Sequence, residues 1–358
     1  MKDVYKDLAL KLDGLPQGYP ATESGVELKI LQKIYSPEEA EMALKIRPIP
    51  EPAAGIAQRL GKPVPEMEAI LDDMVGKGQI GSFKHQGQQM YMFFPFVIGV
   101  YEFQLDRMDK ELTELFEEYA PVLLKEFGGH APAAARVVPI SKDVGADLLV
   151  HRHEDIQGML EEAQSFKVMD CICRKEQELE GKPCKYPVEV CLSFSNEEDA
   201  FEKDPLGRVI SKEEAFAVLD KAEEEGLVHC TYNVQNGQAF VCNCCPCCCG
   251  ILRGVKEYNA PYILAKSNFV ALIDQDECVQ CGICADERCP MEAIVEQDGD
   301  YKVLPERCIG CGACISTCTT DAIQLVRRPD SEQDTPPADL MDWTVKRAAT
   351  RGVELKLD

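Results

Sequence analysis

The chain has 358 residues, 19 of them cysteine, and 62 acidic against 38 basic side chains give a net charge of -24. No run of about 18 apolar residues occurs, which excludes a membrane-spanning helix, and the deficit of Lys and Arg speaks against nucleic acid, whose phosphates are bound by basic clusters. Every cysteine lies between Cys171 and Cys318, which excludes one uniform domain. No apolar secretory core follows Met1, so a cytoplasmic location is expected. In reducing cytosol the thiols are then metal ligands or redox groups in place of disulfides. The excess of acid either serves solubility alone or steers a basic partner.

Residues 1–20 read as a short amphipathic helix ending in the breaker Gly14-Leu15-Pro16-Gln17-Gly18-Tyr19-Pro20. A helix is expected at 24–34, and Ser36, Pro37 and Glu39 mark the next start as N-cap, first-turn proline and capping-box acid. Helices at 53–60 and 64–76 follow, separated by Gly61-Lys62-Pro63, then strands at 79–84 and 89–94 around His85-Gln86-Gly87. Helix, helix, hairpin in this order resembles a winged helix-turn-helix. Its second helix carries Glu66, Glu68, Asp72 and Asp73 against Lys77, a balance that would repel a phosphate backbone and favours protein docking or dimerisation.

A helical stretch, 106–127, leads to the middle of the chain, where the composition changes near residue 166. Strand-like runs at 166–173 and 227–232 flank a helix at 213–225, with Ser211 and Glu214 as its capping box and Gly226 as its stop. After Arg328 a polar linker, 329–337, leads to a helix carrying Trp343, expected to pack back on the body. The fold class is α+β and multidomain. Its parts are an N-terminal helix (1–20), a winged-helix-like domain (21–105), a helical linker region (106–165), a small cysteine-rich α+β domain (166–262), a two-cluster ferredoxin-like module (263–328) and a C-terminal tail with a helix (329–358).

Two segments 30 residues apart match one another. The first is Cys278-Val279-Gln280-Cys281-Gly282-Ile283-Cys284, then Ala285-Asp286-Glu287-Arg288 and Cys289-Pro290. The second is Cys308-Ile309-Gly310-Cys311-Gly312-Ala313-Cys314, then Ile315-Ser316-Thr317 and Cys318-Thr319. Three cysteines at this spacing wrap one corner of an iron–sulfur cube, and the glycines after Cys281 and Cys311 permit close backbone approach. Zinc, in contrast, prefers pairs of C-x2-C knuckles. The repeat, within residues 267–325, closely resembles the bacterial two-cluster ferredoxin family, in which the fourth cysteine of each run ligates the other cluster. The resemblance implies one 4Fe–4S cluster on Cys278, Cys281, Cys284 and Cys318, and a second on Cys308, Cys311, Cys314 and Cys289. Two departures stand out: four residues in place of three separate Cys284 from Cys289, so a local bulge is expected, and Thr319 replaces the usual proline after Cys318.

Eleven cysteines are left: one group of Cys171, Cys173, Cys184 and Cys191, a second of Cys242, Cys244, Cys245, Cys247, Cys248 and Cys249, and Cys230 by itself. Six cysteines in eight positions (242–249) exceed any packing need, since valine or alanine would fill a core without the oxidation hazard. All but Cys230 are candidates for a further site. Three readings stand open: one or two more Fe–S clusters with ligands from both runs, a zinc site, or a redox-active thiol or substrate-binding centre. On a strand, Cys171 and Cys173 would share a face. Arg174, Lys175, Lys182 and Lys185 either stabilise thiolates there or are solvated surface charges. His229 is a ligand or a hydrogen-bonded structural residue, and His151 and His153 share a face with no third ligand in view.

No dinucleotide, P-loop, nucleophile-elbow, zinc-protease or haem-attachment signature occurs. The expectation is an electron-transfer protein that relays electrons through two 4Fe–4S clusters to or from a central cysteine-rich metal or redox centre, with a soluble partner bearing a basic docking surface. The alternatives are an oxidoreductase with its catalytic site in the central domain and a redox-sensing regulator using the winged-helix-like module.

Overall fold

A computed structural model describes residues 3–140, 150–202 and 204–355; part of the linker region, 141–149, lies outside them. The N-terminal part opens with α1 (Val4–Asp13), capped by the Asp3 carboxylate, and α2 (Val26–Ile34). α3 (Pro37–Ala43) starts at the expected capping box: the Ser36 hydroxyl accepts from the Glu39 N–H at 3.3 Å and the Glu39 carboxylate accepts from the Ser36 N–H at 2.8 Å. A short strand β1 (Glu51–Pro52), then α4 (Ala53–Leu60) and α5 (Val64–Gly76), lead to the hairpin β2 (Gly81–His85) and β3 (Gln88–Met92), with β3 in the middle of the sheet. Gln86 and Gly87, at φ of 50° and 75°, form the two-residue turn that right-handed strand twist favours. Ile30, Ile56, Met67 and Leu71 meet Phe93 and Phe96 in the core, against α6 (Lys110–Phe127).

The middle of the chain runs β4 (Ala135–Val138), α7 (Ile156–Glu162), β5 (Ser165–Asp170), α8 (Ile172–Leu179), β6 (Glu189–Ser195), β7 (Arg208–Ile210), α9 (Lys212–Glu224), β8 (Val228–Tyr232), β9 (Phe240–Cys244), α10 (Gly250–Glu257) and β10 (Leu264–Ala265). Among the described residues these strands form one sheet in the order β10-β4-β8-β9-β6-β5-β7, antiparallel except between β10 and β4. Two expectations need correction. The stretch at 166–173 is not one strand: the β5–β6 register slips after Met169, Cys171 becomes the N-cap of α8, and the helix formers Arg174, Lys175, Glu176 and Gln177 take over. The region from 106 to 165, read as helical, also contributes β4 to the sheet.

In the repeat module β11 (Phe269–Ile273) pairs antiparallel with β14 (Ile323–Arg327), and β12 (Ile294–Gln297) pairs with β13 (Asp300–Val303). α11 (Leu340–Arg351) packs back on the body as expected: the Trp343 indole donates to the Ala133 carbonyl at 2.8 Å. The fully buried Arg347 donates to the carbonyls of Pro16, Phe127, His130 and Pro132 and so ties three chain segments to the tail. Among the described residues no helix is long and apolar enough to cross a membrane.

Candidate metal centres

The repeat module places its cysteines around two cavities. Cys278, Cys281, Cys284 and Cys318 line one, and Cys289, Cys308, Cys311 and Cys314 line the other. Each quartet takes its fourth cysteine from the other repeat, because the antiparallel β11–β14 pairing folds the two runs across one another. These are the quartets the resemblance implies. The donor set fits iron–sulfur cubes: soft thiolates in otherwise apolar pockets, with the Ala293 N–H donating to the Cys289 sulfur at 3.1 Å. Gly310, at φ 67°, passes directly against the Phe269 carbonyl, where a Cβ has no room. The extra residue before Cys289 is absorbed as a wide π-type turn, Cys284–Arg288, closed by the Cys289 N–H on the Cys284 carbonyl at 3.1 Å. That turn aims Arg288 at the Glu223 carbonyl (3.4 Å) and the Ser316 hydroxyl (2.9 Å).

The central cysteines separate into two further groups, and each mixes the two sequence runs. In the first, the sulfurs of Cys184, Cys245, Cys247 and Cys248 all lie within 4.8 Å of one another. In the second, six thiols close a ring of neighbours: Cys171 to Cys173, Cys173 to Cys249, Cys249 to Cys244, Cys244 to Cys242, Cys242 to Cys191, and Cys191 back to Cys171. Cys171 and Cys249 are the N-caps of α8 and α10, so two positive helix ends meet at this ring. Cys242 and Cys244 share a face of β9, and the β6–β9 register places Cys191 beside Cys242.

Thiol acidity alternates around the ring. Hydrogen bonds from neighbouring thiols hold Cys171 and Cys249 well below the ordinary thiol range and Cys242 at about 6, while Cys173 and Cys191, the donors, are held well above it. Cys244, beside Cys230 as well as Cys242 and Cys249, is also held above it. Without a cation, six neighbouring thiols, of which Cys171, Cys244 and Cys249 are buried, ionise only in part, and metal binding removes that conflict.

Residues 271–319 match the family described as the 4Fe-4S dicluster domain. Over 60 residues the chain is 37% identical to pyruvate synthase subunit PorD of Methanocaldococcus jannaschii, covering 16% of this chain and 69% of that relative. It is 36% identical over 75 residues to a ferredoxin of Rickettsia felis (20% of this chain, 58% of the relative) and 36% over 61 residues to Ferredoxin-1 of Caulobacter vibrioides (16% and 50%). The chain belongs to the two-cluster 4Fe-4S ferredoxin family. It spans only 58% and 50% of the length of the Rickettsia and Caulobacter ferredoxins. No solved structure matches the chain.

The ferredoxin module carries two 4Fe–4S clusters, and its two quartets differ in environment. Cys281 is exposed beside Val279, itself 62% exposed, whereas Cys308, Cys311 and Cys314 are all buried. Burial pushes Cys311 up to about 12 and Cys314 well above the ordinary thiol range. Both therefore need a cation to ionise. At Cys318 burial is outweighed by the N–H groups of Thr320, Ala322 and Ile323 and the Thr320 hydroxyl, which lower the thiol.

Outside the ferredoxin module, the fates of the other candidates follow from strand alternation and burial. Asn243 points to the opposite face of β9 from Cys242 and Cys244, and His229, its cross-strand partner, meets it there at 2.6 Å. His229 is thus the hydrogen-bonded structural residue. His151 and His153 stack with centroids 5.5 Å apart. Of the four basic side chains, Arg174 alone is buried, donating to the carbonyls of Pro187 (2.7 Å) and Asn243 (2.9 Å); Lys182 and Lys185 are exposed and Lys175 is half-buried beside Asp170. Two neighbours of the ring were not legible. Glu102, driven up to about 8 by burial with Cys242 adding to it, comes from the short 3-10 helix after the hairpin. Cys230, left out of the candidate ligands, is fully buried against Cys244. Register alone would have found it, since Cys230 and Cys242 are partners on β8 and β9.

Proposed function

We propose that this chain is an electron-transfer protein in which electrons pass between a soluble partner and the six-thiol ring through the two ferredoxin clusters. In this reading Cys278, Cys281, Cys284 and Cys318 hold the outer cluster and Cys289, Cys308, Cys311 and Cys314 the inner one. A 4Fe–4S cluster supplies one-electron chemistry without making or breaking substrate bonds. The chain's own residues do the rest. Exposed Cys281 and Val279 present the outer site to a partner, ringed by the exposed carboxylates Asp274, Asp276, Glu277, Asp286 and Glu287. That ring favours a basic docking surface and disfavours nucleic acid.

The observation that carries the relay is Cys230. It lies fully buried beside Cys244 of the ring, and both belong to the same packed core as Cys308, Cys311 and Cys314 of the inner quartet. The inner site and the ring therefore share one hydrophobic core, with Cys230 buried in it. The relative named as a pyruvate synthase subunit supports a place as the electron-carrying part of an oxidoreductase assembly. Anaerobic iron and sulfide counts test the reading. About twelve or more irons place a cluster in the ring, whereas about eight confine iron to the ferredoxin module and end the relay.

For the N-terminal part, a winged-helix-like docking element is the reading the charge supports. The exposed side of α5 carries Glu66, Glu68, Asp72 and Asp73. Binding to a DNA duplex by the anaerobically reconstituted protein would overturn that and favour a redox-sensing regulator.

A further inference from the structure

We propose that Cys184, Cys245, Cys247 and Cys248 form a mononuclear zinc site, separate from the iron–sulfur centres and outside the path of electrons. Geometry carries the assignment. The Cys184 sulfur lies 3.8 Å from that of Cys245 and 3.6 Å from that of Cys247, and Cys247 and Cys248 are 3.6 Å apart. A zinc–sulfur bond of about 2.3 Å in a regular tetrahedron gives a sulfur–sulfur edge of about 3.8 Å. Three of the six sulfur–sulfur edges thus match that value and the other three are no longer than 4.8 Å, a spacing that suits one ion and is too tight for a cube of four irons and four sulfides.

The ferredoxin quartets serve as an internal control. Among the described residues the Cys184 group is the one in which the ligand atoms close to within 4.8 Å of one another. The ferredoxin quartets line pockets of their own, and no three of their ligand atoms close to that distance. The same fold thus holds wide cysteine cradles and one tight one, and the tight one suits a single ion.

Sequence spacing and surroundings agree. Cys245-Pro246-Cys247-Cys248 contains the C-x2-C spacing of a zinc knuckle in Cys245 and Cys248, and the fourth donor comes from the loop between α8 and β6. An ion there joins two loops 61 residues apart in the chain. Four thiolates on a divalent ion carry two net negative charges, one of which the buried Arg174 beside Cys245 offsets. The Tyr186 N–H faces the Cys184 sulfur. Tetrahedral sulfur sites accept zinc or a lone iron, and divalent zinc binds such donors more tightly than ferrous iron.

The test uses the full-length holoprotein, purified anaerobically, with zinc and iron measured together. The expected result is about one zinc per chain. Cys184→Ser and Cys247→Ser are each expected to lose that zinc and keep the iron count of the parent, and Cys171→Ser to keep the zinc. Because a ligand variant can fail to fold, zinc-edge X-ray absorption on the unmodified protein provides a second reading, expected to show four sulfur neighbours at about 2.3 Å. A parent without zinc, zinc that survives both substitutions, or a zinc edge dominated by nitrogen or oxygen neighbours would each overturn the assignment. The zinc readout is independent of the relay: an iron count of about eight ends that proposal and leaves this one standing.

Discussion

Glu154 and Arg327 form an ion pair of 2.8 Å in which the carboxylate is almost completely buried, joining the end of β14 to the segment that precedes α7. The Asn268 side chain adds a second donor to Glu154 at 2.8 Å. Replacing Arg327 by alanine leaves a buried carboxylate short of its cation, with an expected loss of about 3 kcal/mol. Anaerobic denaturant unfolding measures it. The double variant Glu154→Gln, Arg327→Met should recover more than half of that loss, because an apolar or neutral pair needs no charge compensation. A single variant as stable as the parent would mean the junction does not depend on this pair.

His153 makes the same junction acid-sensitive. Burial, and then the charge of Arg136, holds it down at about 4 from an ordinary 6.5; His151 and Arg327 also oppose its protonation, and Glu154 favours it. A histidine whose folded pKa is depressed is neutral in the fold, so its contribution is intact above 6.5 and is lost as pH falls toward 4. Urea midpoints at neutral and acidic pH should diverge less in His153→Gln than in the parent. Equal divergence would show that other groups carry the acid transition.

The two ferredoxin sites should respond differently to ligand loss. Cys281→Ala and Cys311→Ala are each expected to remove about four irons. Only Cys311→Ala should also lower thermal stability strongly, since its site lies in the core and that of Cys281 is exposed. Gly310→Ala should resemble Cys311→Ala, because its Cβ would meet the Phe269 carbonyl and the Ser267 hydroxyl. Iron analysis with electron paramagnetic resonance of the reduced protein separates the cases.

Electron exchange with a basic carrier should slow steeply as salt is added. Substituting Asp276, Glu277 and Asp286 by their amides is expected to reduce the rate at low salt several-fold and to flatten the salt dependence. Stopped-flow reduction at two ionic strengths checks both. A parent rate insensitive to salt would place docking elsewhere on the surface.

Local rules made much of the scaffold legible. α4 and α5 end where Gly61 and Gly76 weaken the helix, and the Ser36 box opens α3 because capping depends on residues three apart. Cys171 and Cys173 show where local reading stops. Their alternation suits a strand, but a register slip in β5 turns Cys171 into a helix cap. A slip of that kind depends on the neighbouring strand, which propensity cannot see.

The sequence by itself determined that the C-terminal part is a two-cluster ferredoxin, because cluster ligation there depends on short, fixed cysteine spacings within two adjoining repeats. It also determined that the remaining cysteines were too many for packing. Only the tertiary structure decided how they divide. Cys184 meets Cys245 across 61 residues, and Cys191 reaches Cys242 through the pairing of β6 with β9. Bringing such distant thiols together follows from the order of strands in a sheet, and sulfur-to-sulfur distance, which separates a lone ion from a cluster, exists only once that sheet has formed.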